Sequence, residues 1–236
     1  MSVSLTRRQF MQWSGMFTLS TTLAACGANV SFSAEPTAEP TAEPAVTGPD
    51  EALQRLLDGN QRYVANKAVD PNQTERRRVE VATGQHPFAT ILGCVDSRVP
   101  PEIVFDRGLG DLFVIRTAGQ VVDQAVLGSI EFGALHYSIP LVFVLGHESC
   151  GAVTAAMEAH GEAEGSIGYL VEAITPAIEA AHGQEGDELD NAVKANVSLV
   201  VERLKESHIL SEAITAGTLK IVGGRYDLDK GAIELV

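Results

Sequence analysis

The chain has 236 residues, with 17 Lys and Arg against 31 Asp and Glu, a formal net charge of −14. Its apolar content of 45% suits a globular protein with a real core, and its length allows one domain with a small appendage. An acidic balance of this size argues against charge-driven binding to nucleic acid or to an anionic membrane surface, and it is silent about fold.

The first 26 residues read as an address. Arg7 and Arg8 are the only charges in the first 34 residues, and the stretch after them, Phe10 to Ala25, is too short and too polar for a transmembrane span. This is the segment order of an export signal, and the paired arginines make it twin-arginine-like. Leu23-Ala24-Ala25-Cys26 resembles a lipobox, in which Cys26 takes a lipid and the preceding peptide is removed; a plain secretory signal cut near Ser33 or Ala34 is the other reading. AEP repeats follow, with no aromatic residue and a regular proline, which reads as a stiff, solvated tether. The expected organisation is a signal over 1–25, a tether over 26–49 and a folded domain over 50–236. The expected location is outside the cytosol: the periplasm, the outer face of a bacterial membrane through a lipid on Cys26, or the lumen of internal membranes where a host has them.

In the folded part, Asp50 reads as a helix N-cap or a close neighbour of one. Ala52, Leu53, Leu56, Leu57, Tyr63 and Val64 then recur at helical spacing. Apolar, β-branched runs at 86–95, 111–116, 139–146 and 219–224 read as four buried strands. Segments 123–138, 150–161, 167–181 and 188–207 between them are helical in pattern. The tail reads as the end of a strand, a turn at Asp229-Lys230-Gly231, and a last antiparallel strand. Buried strands alternating with helices predict an α/β fold, with a mostly parallel central sheet of four to five strands flanked by helices.

Cys94 falls at the carboxyl end of the first predicted strand, and His147 and Cys150 fall just past the carboxyl end of the third. Ligands collect outside those ends in open α/β sheets, so neighbouring strands would bring the three side chains together. Two thiolates and an imidazole suit zinc. Three protein ligands leave a fourth position for water, and zinc lowers the pKa of such a water to about 7. Unrelated core residues, or a Cys94–Cys150 disulfide in an oxidising compartment, are the competing readings. Asp96 and Arg98 project to the same side of the loop after Cys94. An Asp beside a guanidinium stays ionised; it could orient a zinc-bound hydroxide, or swing in as a fourth ligand and shut the site. A surface ion pair is the bland alternative.

The segment CVDSRVPPE, followed further along by GHESCGAV, resembles the β-class carbonic anhydrases in the order and spacing of its C-x-D-S-R and H-x-x-C motifs. The resemblance extends over residues 50–236, including LFVIRTAGQ and VGGRYDLDKG. It implies one zinc ion per chain on Cys94, His147 and Cys150, with Asp96 and Arg98 as the dyad beside it. It implies reversible hydration of CO2 to bicarbonate and a proton, in a homodimer or higher homo-oligomer. In the plant-like branch it also implies a substrate-binding Gln85 and a pocket of Phe113, Ala118, Gly119 and Phe132. Plain core packing is the other reading of the two phenylalanines. Hydrolysis of COS or CS2 on the same scaffold, or a zinc-binding homologue without turnover, are the alternative functions. The family commonly reads R-N-x-A-N where this chain has Arg116-Thr117-Ala118-Gly119-Gln120, a change that bears on the pocket floor. The only Trp, Trp13, lies in the signal, so the bicarbonate regulation that uses a Trp near a dimer interface is not expected.

Overall fold

A computed structural model describes residues 44–159 and 163–236; the predicted signal, Cys26 and most of the tether lie outside the described residues. The domain begins ahead of residue 50. Val46 packs against the apolar core, Thr47 donates from its backbone and hydroxyl to Glu51 at 2.9 and 2.6 Å, and Arg55 donates to the Pro44 carbonyl at 2.7 Å. Helix α1 spans Pro49–Val64, with Gly48 before it as the cap residue. Asp50 is therefore a close neighbour of the cap, inside the first turn. Pro49 takes the first helical position, where a missing N–H costs nothing and a fixed φ is already helical.

Five strands follow: β1 (Ala89–Cys94), β2 (Leu112–Thr117), β3 (Leu141–His147), β4 (Lys220–Tyr226) and β5 (Ile233–Leu235). They form one sheet in the order β2-β1-β3-β4-β5; the first four are parallel and β5 is antiparallel to β4. The predicted strands are all present, shifted by one to three residues at their ends. β1 and β3 are buried at every residue, because helices cover both faces of the sheet.

Alternation along the strands sorts the core into two layers. Leu92, Val142, Val144 and Ile221 face α4 (Gln124–Tyr137), α7 (Glu188–Lys205) and α8 (His208–Thr215). Ala89, Ile91, Leu141, Phe143 and Leu145 face α1 and the short α3 (Pro101–Val104). A third cluster, containing Cys94 and Cys150, lies between α5 (Gly151–Glu158), α6 (Ile167–Ala181) and α7.

Three helices lack a counterpart in the sequence reading. Helix α2 (Glu75–Val81) buries no residue, so it has no apolar period to read; Thr74 caps it by accepting from Arg77. Helix α3 has only four residues. The helical pattern over 188–207 does not run to its end as one helix. It ends at Lys205, and Ser207 caps α8 by accepting from Leu210 while donating to Glu131 at 2.6 Å.

Candidate metal centre

The chain runs from β1 to β2 on one side and then crosses to β3 on the other side of β1. Such a reversal opens a crevice at the carboxyl ends of β1 and β3. Gly93 pairs with Leu145, so the two strands end together. Cys94 is the last residue of β1 and His147 the last of β3. Ser149 then takes a left-handed φ of 51°, which turns the chain back and delivers Cys150 to the start of α5.

The ligand atoms of Cys94, His147 and Cys150 all lie within 4.8 Å of one another, and all three residues are buried. The two sulfurs are free thiols 4.0 Å apart, not a disulfide. Tetrahedral zinc with Zn–S bonds near 2.3 Å separates two sulfurs by about 3.8 Å, so the pair needs almost no movement to accept it. His147 Nδ1 lies 2.8 Å from the Glu148 carbonyl. A carbonyl only accepts, so Nδ1 carries the proton and Nε2 points at the sulfurs with its lone pair. Nε2 is buried and has no hydrogen-bond partner among the described residues. A soft donor set with an unpartnered imidazole nitrogen fits zinc.

The two thiols push each other's titration in opposite directions. Each sulfur acts on the other: the Cys150 hydrogen bond draws Cys94 down, ahead of the opposing effect of burial, while the Cys94 sulfur pushes Cys150 up. The Gly119 N–H, 3.4 Å from Cys94 Sγ, further favours a thiolate there. Burial disfavours the His147 imidazolium, but the Cys94 sulfur and the Glu148 carbonyl outweigh it and the net shift is upward.

Asp96 lies at the rim. Arg98 grips its carboxylate from the side chain, Nε to Oδ1 at 2.9 Å and Nη2 to Oδ2 at 2.7 Å, and from its backbone N–H at 2.9 Å. The guanidinium bonds, ahead of every other influence, hold the Asp96 carboxyl far below the usual carboxylate range. Arg98 Nη2 also reaches the Ser149 carbonyl at 3.4 Å. Asp96 Oδ2 stands 3.8 Å from His147 Nε2, beyond hydrogen-bond range, and both its oxygens are turned to Arg98.

The other predicted pocket residues divide. Ala118 and Gly119 form the turn after β2 beside Cys94. Gly119 has φ +64°, and a Cβ there would come within 2.8 Å of Ile174 Cδ1, so only glycine fits without strain. Phe113 is level with Thr90, four residues or about 13 Å before Cys94 along the sheet. Gln85 precedes the amino end of β1. Phe132 is 45% exposed on α4, its ring tilted against His136 and edge-on to Tyr137. Within one chain these three do not join the cluster.

The structure adds two roles that the sequence reading did not assign. Arg116 donates to the carbonyls of Cys94 and Asp96 at 2.8 and 2.7 Å and so braces the loop between them. Asn196, buried on α7, donates to the Gly119 carbonyl at 2.9 Å. A charge inside a strand pattern and an amide on the apolar face of a helix were the only signals of these roles.

Comparisons with known proteins find relatives over most of the chain. A family model described as carbonic anhydrase matches residues 89–233. Carbonic anhydrase 2 of Mycobacterium tuberculosis is 44% identical over 193 residues, covering 80% of this chain and 93% of that protein. A carbonic anhydrase of Mycolicibacterium smegmatis is 42% identical, covering 80% and 94%. Among solved structures, the Coccomyxa β-carbonic anhydrase in complex with acetazolamide aligns with a TM-score of 0.64 at 27% identity, over 78% of this chain and 86% of that one. A tetrameric β-carbonic anhydrase of Sordaria macrospora aligns at 0.63 and 23% identity, over 78% and 96%, a likeness of fold.

Proposed function

The chain belongs to the β-class carbonic anhydrase family and hydrates CO2 reversibly to bicarbonate and a proton; from that premise we propose that Cys94, His147 and Cys150 hold one zinc ion per chain, with Asp96 and Arg98 working beside it. The observation that carries the assignment is a buried, unpartnered His147 Nε2 within 4.8 Å of two free sulfurs. Zinc, when bound, supplies the Lewis acidity that makes water nucleophilic near neutral pH.

The chain's own residues do the rest. Asp96 is ionised, so it accepts a hydrogen bond from the attacking water and cannot donate one. Arg98 fixes the carboxylate plane, so a water that donated to Asp96 would be held in one orientation beside CO2. Gly119 N–H restrains the charge on the Cys94 sulfur. Ala118 and Gly119 keep the floor small and apolar, which suits CO2. Gln85, Phe113 and Phe132 stand away from the cluster of their own chain and serve a site only from a neighbouring copy. That requirement supports a homo-oligomer, as does the tetrameric state of the Sordaria enzymes.

The test is stopped-flow CO2 hydration by the purified chain, with zinc quantified, at pH 7 and near pH 9. One zinc per chain with fast hydration at both values is expected. Hydration at the higher pH alone would mean that Asp96 leaves Arg98 and caps the metal at rest. Absence of zinc overturns the assignment.

The same reading extends to location. Arg7-Arg8 and the Leu23–Cys26 stretch support export with lipid attachment at Cys26, and on this reading the enzyme works in the periplasm, at an outer membrane face or in an internal lumen. Among the described residues no helix is long and apolar enough to cross a membrane. Twin-arginine export moves folded protein, so zinc would protect both thiolates before they leave the reducing cytosol. Arg7→Lys with Arg8→Lys should trap the protein inside; normal export of that variant would refute the route.

A further inference from the structure

His147 and Cys150 are separated by Glu148 and Ser149, and the Glu148 side chain plays no part in the site described above. Its backbone carbonyl, however, accepts the His147 Nδ1 proton. That carbonyl decides which imidazole nitrogen is left to bind metal. The peptide that carries it is held from outside the loop. The Glu148 N–H donates to the Tyr226 carbonyl at 2.8 Å, which extends the β3–β4 ladder by one bond. The Glu148 carboxylate turns away from the metal ligands and accepts the Leu228 N–H on Oε2 at 3.1 Å. Its other oxygen, Oε1, faces Arg225 Nη2 at 3.6 Å. Arg225 in turn donates to Asp190 on α7 at 2.6 Å and to Asp227 at 3.3 Å. Its side chain is only 12% exposed, so the carboxylate meets an anchored guanidinium, not a mobile one.

We propose that Glu148 is a positioning residue: its carboxylate clamps the 148 peptide to the turn after β4, and the clamped carbonyl holds His147 in the tautomer that presents Nε2 to the metal. The inference rests on the zinc reading of the cluster and assigns Glu148 no contact with substrate. The acceptor on Oε2 carries the effect, because a backbone N–H is a directional partner while the Arg225 contact is a longer charge pair. Outer contacts of this kind are worth about 10- to 100-fold in metal affinity.

Two variants separate the parts. Glu148→Ala removes both contacts; Glu148→Gln keeps an oxygen for the Leu228 N–H and loses the charge that faces Arg225. Zinc affinity is measured by competition with a chelator, and protection of the His147 Nδ1–H is measured by 15N-resolved solvent exchange, with and without zinc. Glu148→Ala should lose about tenfold in zinc affinity, with faster exchange of the Nδ1 proton in both metal states. Glu148→Gln should stay close to the parent in both readouts. Equal losses in the two variants, or unchanged Nδ1–H exchange in Glu148→Ala, would overturn the proposal. Failure of the parent chain to bind zinc would overturn the metal reading, while the exchange rates of the metal-free proteins would still decide the role of Glu148.

Discussion

Helix α7 seats on the sheet through glycine, and one side chain tests how tightly. A Cβ at Gly146 would lie 2.4 Å from Val197 Cγ2, and a Cβ at Gly223 would lie 2.4 Å from Val197 Cγ1. Val197 thus drops both methyls onto two neighbouring strands. Valine in a helix keeps one χ1 rotamer about 90% of the time, so it cannot rotate out of the way. Gly146→Ala should therefore overpack, costing about 2 kcal/mol. Val197→Ala removes two methyls at ~0.8 kcal/mol each and leaves a small cavity, for about 2 kcal/mol in total. Independent effects would sum to about 4 kcal/mol. The next atoms around the new Cβ are Gln120 Nε2 at 3.5 Å and Val193 Cγ1 at 3.6 Å, which are ordinary contacts. In the double variant the added methyl therefore fills the space that the valine vacates, and the loss should return to about 2 kcal/mol. Urea unfolding at one fixed protein concentration, followed by circular dichroism, measures the cycle. Additivity of the two substitutions within about 0.5 kcal/mol would refute the contact.

Three further expectations follow from named contacts. The Asp96 carboxyl is held below its unfolded value of about 3.9, so its contribution to stability is present above that pH and is lost as pH falls toward the folded value. Its 13C signal should not titrate between pH 4 and 7, and Arg98→Met should raise the midpoint; a parent midpoint near 4 would contradict the ion pair. Asn60 is buried, donates to the Val104 and Gly231 carbonyls and accepts from Ile233, so Asn60→Ala should cost about 3 kcal/mol at ~1 per bond and release β5. Unchanged exchange protection of the Ile233 amide would refute that role. Asn196→Ala leaves the buried Gly119 carbonyl unpaired and should weaken zinc binding about tenfold, measured by chelator competition; an unchanged affinity would show that the turn at 118–120 holds itself.

The fold was legible where burial imposes one residue type. β1 and β3 are covered on both faces, so their sequences are unbroken apolar runs, and such runs end where the strands end. The candidate ligands stood out for the same reason: polar or reactive residues at the end of a buried run have few structural explanations. Helix α2 was invisible because an exposed helix held by one cap and by ion pairs leaves no periodic trace. The break at Ser207 was missed because a serine inside a helical pattern is unremarkable until its hydroxyl is seen between Leu210 and Glu131. The early start of the domain was hidden by the proline-rich look of residues 44–49, where Val46 is the one side chain with a core to reach.

The cluster itself is local in sequence, but its supports are not. Cys94 is steadied from β2 by Arg116 and from α7 through Asn196 and Gly119. His147 is steadied from the turn after β4 through Glu148. Asp190, on α7, holds the Arg225 that faces Glu148. One helix therefore reaches the thiolate side and the imidazole side of the site together. Its buried face carries Val197 and Asn196 in sequence, so whatever shifts the valine also moves the amide that fixes Gly119. Metal affinity and the packing of α7 are then linked quantities. A substitution at Val197 should lower zinc affinity with none of the three candidate ligands touched, whereas one at the exposed Leu199 of the same helix should leave it unaltered.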